Sequence, residues 1–259
     1  MAIFEDIQAN LGEIESSQQI KIIYACESGS RAWGFPSADS DYDVRFLYLR
    51  PVNWYLSIEE KRDVIEIPIT NQMDITGWDL RKALQLFRRS NPPLYEWLGS
   101  PIVYWERYHI VSRMRELAKT AYSPVTCIYH YLHMAQDNYR QYLKGDQVWL
   151  KKYFYVLRPI LAINWIEQGY GLAPTAFGVL MDRIITSDVV KAEIQNLIAL
   201  KLAGDELDSG PRIETINAYI DQEMARLENY KVEYQITPIA YERLDEIFRD
   251  GLEEAWQGA

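Results

Sequence analysis

The segment Glu27 to Val44 holds the residues whose types and spacing most suggest chemistry. Gly29 and Ser30 follow directly on an apolar, β-branched run, and ten residues later Asp41 and Asp43 open another. A glycine lets the backbone come close to a phosphate, and a serine adds a hydroxyl and a backbone N–H. Asp41 and Asp43 stand at i and i+2, so on a strand both carboxylates project from one face. Two carboxylates pushed together repel unless a cation compensates, and Mg²⁺ is the natural one because it shares hard oxygen ligands with substrate phosphates. A third carboxylate would complete a two-metal site. Asp74, on a short strand just before a helix, is the first candidate; Glu66, on the neighbouring strand, is the rival.

The elements that must position these residues read as follows. Ile20 to Cys26 is a buried strand, and ESGSRAWGFPSADSD after it is a loop rich in Gly, Ser, Pro and Asp. Tyr42 to Leu49 is a second strand, ended by Pro51 and Asn53, and Asp63 to Ile69 is a third, whose Pro68 points to a sheet edge. After a turn at 70–72, Met73 to Ile75 is a short strand. Thr76 and Asp79 offer N-cap chemistry to a helix that Asn91-Pro92-Pro93 stops. Leu94 to Trp97 reads as a short helix and Ile102 to Trp105 as a strand. Helices follow: Thr126 to Leu143, Gln147 to Gln168, a shorter segment from Pro174, Ser187 to about Ala203 with Gly204 as its stop, Pro211 to about Asn229, and Ala240 to Trp256. The fold class expected is α+β: a mixed sheet flanked by helices over 1–110, then an α-helical bundle over 111–259.

Composition narrows the function classes. The chain has 259 residues with 27 Lys plus Arg, 37 Asp plus Glu and a formal net charge of −10. Hydrophobic residues at 48% and charged residues at 25% give a globular balance and exclude wholesale disorder. Two cysteines, Cys26 and Cys127, cannot build a disulfide framework or a cysteine-rich zinc site. The N-terminus lacks the pattern of a signal peptide and no apolar stretch of about 18 residues exists, so the expectation is a cytoplasmic protein without a membrane span. The acidity argues against a broadly basic binder of long duplex DNA, although Arg81-Lys82, Arg88-Arg89 and Lys151-Lys152 are local basic patches. His130 and His133 lie at i and i+3 on a helix with only Asp137 near in sequence, which reads as packing rather than metal binding.

The run GSRAWGFPSADSDYDVRFLY, with DITGWDLRKALQLF and NPPLYEWLGSPIVY, resembles the polymerase-β-like nucleotidyltransferase superfamily, and within it the RlaP branch assigned to RNA repair. The matching motifs cover roughly 20–105, and the helical half matches in layout. The resemblance implies that Gly29 and Ser30 hold the β and γ phosphates of an NTP. It implies that Asp41 and Asp43 ligate two Mg²⁺ ions, and that Asp74 ligates one and helps to deprotonate an acceptor hydroxyl. Attack on the α-phosphate would release pyrophosphate. Arg31 is placed to meet a phosphate. Lys151 and Lys152, on the helix that also carries Arg158, stand where the superfamily commonly supplies a lysine to the triphosphate, with a solvated face as the alternative. Tyr155 shares their face and is placed to stack on a base, with core packing as its alternative. The acceptor stays open among an RNA end, a protein and a small molecule. A catalytically silent nucleotide-binding or regulatory module, or an antitoxin-like interaction protein, is the competing class.

Overall fold

The computed structural model describes residues 2–70, 72–203, 208–228, 230–231 and 239–257. Its elements in chain order are α1 (Ala2–Gln18), β1 (Lys21–Glu27), α2 (Gly29–Trp33), β2 (Tyr42–Leu49), α3 (Val52–Tyr55), β3 (Val64–Thr70), β4 (Met73–Asp79), α4 (Leu80–Arg88), α5 (Pro92–Leu98), β5 (Val103–Glu106) and α6 (Ile110–Ala121). There follow α7 (Pro124–Tyr142), β6 (Gln147–Trp149), α8 (Lys152–Glu167), α9 (Phe177–Ile184), α10 (Asp188–Leu202), β7 (Ser209–Pro211), α11 (Glu214–Leu227) and α12 (Tyr241–Trp256). The chain divides into two compact units, one of Met1–Ala32, Asp41–Tyr122 and Thr237–Ala259, the other of Trp33–Ser40 and Ser123–Ile236. This differs from a division at 110. The apolar face of α6 (Ile110, Val111, Met114, Ala118) is buried in the first unit, and α12 packs on α6, α4 and β2.

The first unit is built on a five-stranded sheet in the order β3-β4-β2-β1-β5. β2 and β4 are parallel, and every other pair is antiparallel. Pro68 lies on β3, an edge strand as its missing N–H requires. Ile7, Leu11 and Ile14 of α1 share one apolar cluster with Ile22 of β1, Val44, Phe46 and Tyr48 of β2 and Ile75 of β4. Side chains alternate along a strand, so Asp43, Arg45 and Leu47 project from the opposite face of β2. α4 and α12 contact β2, while α5 and α6 contact β1, and Trp78 of β4 stacks on Trp97 of α5 with ring centroids 3.8 Å apart. β2 and β4 come close because Gly77 faces Phe46: a Cβ on Gly77 would lie 2.2 Å from its ring.

Several elements differ from the sequence reading. α1, to which that reading assigns nothing, is an amphipathic helix that the sheet needs as cover. The segment after β1 contains a short helix, α2, rather than loop alone. β4 runs on through Thr76 to Asp79, because its register with β2 continues to Tyr48↔Asp79, and Asp79 is then the N-cap of α4. Asn91-Pro92 opens α5 as N-cap and first-turn proline.

The second unit is helical around α8, whose buried side chains form one apolar cluster with α7, α9, α10 and α11. Phe35, Phe154 and Phe177 make its aromatic centre, with Phe35 stacked on Phe154 at 4.4 Å between centroids. Residues 147–149 are not helical: they pair as β6 with Ser209–Pro211, so α8 starts at Lys152 and α11 at Glu214. The stops proposed at Gly204 and Asn229, and the turn residue Asn71, lie outside the described residues.

Candidate active site

The register of β2 with β4 sets Asp43 directly beside Asp74. Arg45, two residues after Asp43 and on the same face, joins the two: one nitrogen of its guanidinium lies 3.0 Å from Asp43 Oδ1 and 2.8 Å from Asp74 Oδ2. Its other terminal nitrogen donates to the carbonyls of Val44 (3.1 Å) and Asp74 (2.7 Å). A planar fork with five donors suits this bridging role, and it offsets the repulsion between two carboxylates in adjacent register positions. Both carboxylates stay partly open, Asp43 at 29% and Asp74 at 32% side-chain exposure. Burial raises the proton affinity of Asp43 above the ordinary range. Arg45 opposes that, and Asp74 and Asp41 add to it.

Gly29 packs directly on Asp43. It sits at φ +57°, and a Cβ there would lie 1.9 Å from Asp43 Oδ2, so only glycine fits. Its neighbour Ser28 donates from its backbone N–H to the Asp43 carbonyl at 2.8 Å, and Ser30 follows in the first turn of α2. Asp41 is exposed and lies just before β2 rather than on it, so it does not share a strand face with Asp43. Arg31 donates from Nε to the Asp41 carbonyl (3.2 Å) and its guanidinium lies 3.7 Å from the Tyr42 ring centroid. Glu66, the rival third carboxylate, lies opposite Thr76 on β3 and pairs with Arg62 on the exposed edge. Asp74 is therefore the neighbour of Asp43, and Glu66 is not.

Two participants carry no signal in the motif. One is Arg45; its place at i+2 from Asp43 was readable, its reach across to β4 was not. The other is Glu27, wholly buried at the end of β1. One of its carboxylate oxygens accepts the Asp43 N–H at 2.8 Å and the other the Tyr104 hydroxyl. Burial pushes its carboxyl up to about 7, against the lowering effect of those two hydrogen bonds.

Among the described residues, no three His, Cys, Asp or Glu side chains form a ready metal cage. The donor set still suits a hard cation shared with substrate. Arg45 uses one oxygen each of Asp43 and Asp74, and no described group hydrogen-bonds to the other oxygen of either. Mg²⁺ typically takes one or two protein carboxylates and completes its shell with phosphate oxygens and water.

In the second unit, Lys152 Nζ lies 4.4 Å from the Tyr142 ring centroid and 4.7 Å from that of Tyr155, while Lys151 lies 5.8 Å from that of Trp149. Burial and then Lys151 lower the proton affinity of Lys152; burial and Lys151 lower that of Lys201 as well, against Asp39. Lys201 thus joins this cationic group, which sequence spacing did not indicate. Tyr155 is 41% exposed and packs edge-on to Trp33, so it is not a core residue. Arg158 is buried with its guanidinium 5.2 Å from the Trp33 ring centroid. His133 is exposed, and His130 packs edge-on to Tyr131.

A mixed sheet flanked by helices is what the resemblance to polymerase-β-like nucleotidyltransferases implies, and the chain's class is that superfamily. The chain belongs to the RlaP family, the RNA repair pathway DNA polymerase beta family, whose pattern matches residues 3–250. It is 46% identical over 250 residues to the uncharacterized protein YcgL of Bacillus subtilis (strain 168), covering 93% of this chain and 96% of that one. A solved nucleotidyltransferase-like protein from Exiguobacterium sibiricum 255-15 aligns with 95% of this chain and 92% of its own at 12% identity and a TM-score of 0.32, too loose a likeness to assign function. Among the described residues no helix is long and apolar enough to cross a membrane.

Proposed function

We propose that the protein is a Mg²⁺-dependent nucleotidyltransferase that moves a nucleoside monophosphate from an NTP to an acceptor hydroxyl, an RNA end being the acceptor that the family description favours. The acceptor oxygen bonds to the α-phosphorus, the bond from that phosphorus to the bridging oxygen breaks, pyrophosphate leaves, and the acceptor gives up its proton. Asp43 and Asp74, with the exposed Asp41, would hold the cation, and Asp74 would take up the acceptor proton. Gly29, Ser30 and Arg31 hold the β and γ phosphates. Mg²⁺, when bound, neutralises charge on the attacking and leaving oxygens.

The observation that carries this reading is the pairing of Asp43 with Asp74 beneath a glycine whose missing side chain leaves room for Asp43. The test is transfer of label from an α-labelled NTP, with Mg²⁺, to a cell-extract fraction. Wild type transfers label and Asp43→Ala, still folded, does not; equal labelling by both sinks the assignment. Nuclease and protease treatment of the product then tells RNA from protein acceptors.

One observation favours a silent nucleotide-binding module instead. Arg45 already supplies the cation between Asp43 and Asp74. That reading expects NTP binding that is indifferent to Mg²⁺ and no transfer to any fraction.

A further inference from the structure

β1 and β2 end their ladder at Glu27↔Val44. The next pair would be Ser28 with Asp43, and only half of it forms. The Ser28 N–H reaches the Asp43 carbonyl at 2.8 Å, but the Ser28 carbonyl accepts the Ala32 N–H (3.4 Å) in the turn of α2. The Asp43 N–H is thereby left without its backbone acceptor, and an unpaired N–H at this depth is costly. The Glu27 carboxylate fills the gap at 2.8 Å. Everything polar on Glu27 is in turn fixed. Its second oxygen accepts the Tyr104 hydroxyl, its N–H donates to the Ile102 carbonyl (2.9 Å), and its carbonyl accepts the Ser100 hydroxyl (2.6 Å). Tyr104 is held from behind: its carbonyl accepts the Gln8 amide at 2.8 Å, and its ring meets Phe4.

We propose that Glu27 is a positioning residue. Its carboxylate stands in for the backbone carbonyl that the Gly29 turn withdraws, and so holds Asp43 at the angle from which its second oxygen, the one Arg45 does not bind, meets a divalent cation. This rests on the nucleotidyltransferase reading for the cation and on geometry alone for the hold on Asp43. Outer partners that orient a metal ligand commonly set affinity by about 10–100-fold. A carboxylate is not needed for its charge here, since an amide oxygen accepts the same N–H, so glutamine can replace it.

The test uses the full chain and two readouts, backbone amide exchange at Asp43 by NMR and Mn²⁺ affinity by electron paramagnetic resonance. Glu27→Ala should speed Asp43 exchange by about tenfold and weaken Mn²⁺ by about 10–100-fold. Glu27→Gln should stay within about threefold of wild type in both, as a preserved hydrogen bond requires. Tyr104→Phe, which frees one oxygen of Glu27, should fall between them. A folded Glu27→Ala protein with wild-type exchange and affinity overturns the proposal, as does a Glu27→Gln protein that loses as much as Glu27→Ala. Should Glu27→Ala fail to fold, Tyr104→Phe decides: unchanged Asp43 exchange overturns the proposal and faster exchange supports it. If wild type binds no Mn²⁺, the nucleotidyltransferase reading fails, and the exchange arm still decides whether Glu27 holds Asp43.

Discussion

The parallel pair β2 and β4 carries carboxylates at both ends, and the fold treats the two ends differently. At one end Asp43 and Asp74 are adjacent, partly exposed and tied to Arg45 by one oxygen each. At the other end Asp79 lies opposite Tyr48 and is 1% exposed. There Oδ1 accepts the Arg81 N–H at 2.8 Å and caps α4, and Oδ2 accepts the Tyr55 hydroxyl at 2.7 Å. Both oxygens of Asp79 are spent inside the protein, whereas among the described residues Asp43 and Asp74 each keep one to offer. Asp74 and Asp79 share residue type and strand. What separates a structural carboxylate from one available to a ligand is how many of its lone pairs the fold consumes.

The comparison breaks most easily at Asp43. Asp43→Ala should lower transfer by at least about 10²–10³-fold, the usual cost of removing a group that stabilises transferring charge, while the melting temperature stays close to wild type. Gly29→Ala comes next. Its methyl group would push Asp43 aside, and a displacement near 1 Å costs about 10²-fold in rate; the variant should fold and bind Mn²⁺ poorly. Asp79→Ala inverts the pattern. Calorimetry should show a loss of about 1–3 kcal/mol, from the cap and the orphaned Tyr55 hydroxyl, with the transfer rate per folded molecule nearly unchanged.

The pH dependence sharpens the same contrast. Burial raises the Asp79 carboxyl from 3.8 to about 6, with Asp63 adding to the rise and Tyr55, Arg81 and the backbone opposing it. The folded state therefore holds that proton more tightly than the unfolded chain. The contribution of Asp79 to stability is greatest below the unfolded value, falls as pH rises through that window, and is flat above the folded value. In Asp79→Asn, denaturant titrations between pH 4 and 6 should lose that downward slope. The smallest effect belongs to Arg45. Arg45→Gln leaves Asp43 and Asp74 facing each other uncompensated, so Mg²⁺ should raise the melting temperature by more than in wild type; an equal rise would mean that Arg45 does not stand in for the cation.

The Asp43–Asp74 end was more legible in the sequence than its supports. Gly29, Ser30, Asp41 and Asp43 announce themselves by type and spacing, and a strand leading into a helix sets Asp74 ahead of Glu66. The structure pairs Asp74 with Asp43 and leaves Glu66 on the exposed edge. Strand β2 was legible to the residue because alternation and Pro51 bound it. Glu27 and Lys201 were not legible, since their roles depend on partners 16 or more positions away. β6 was read as helix because the pairing that makes it a strand comes from residues 209–211, and no local pattern reports a partner so distant.

The two kinds of carboxylate are told apart by transfer from an α-labelled NTP, run side by side on Asp74→Asn and Asp79→Asn with thermal melts of both. Asp74→Asn should be folded and inactive, and Asp79→Asn should transfer label like wild type with an altered pH profile of stability. Equal activity in the two variants, or transfer that survives Asp74→Asn and is lost with Asp79→Asn, would contradict that distinction.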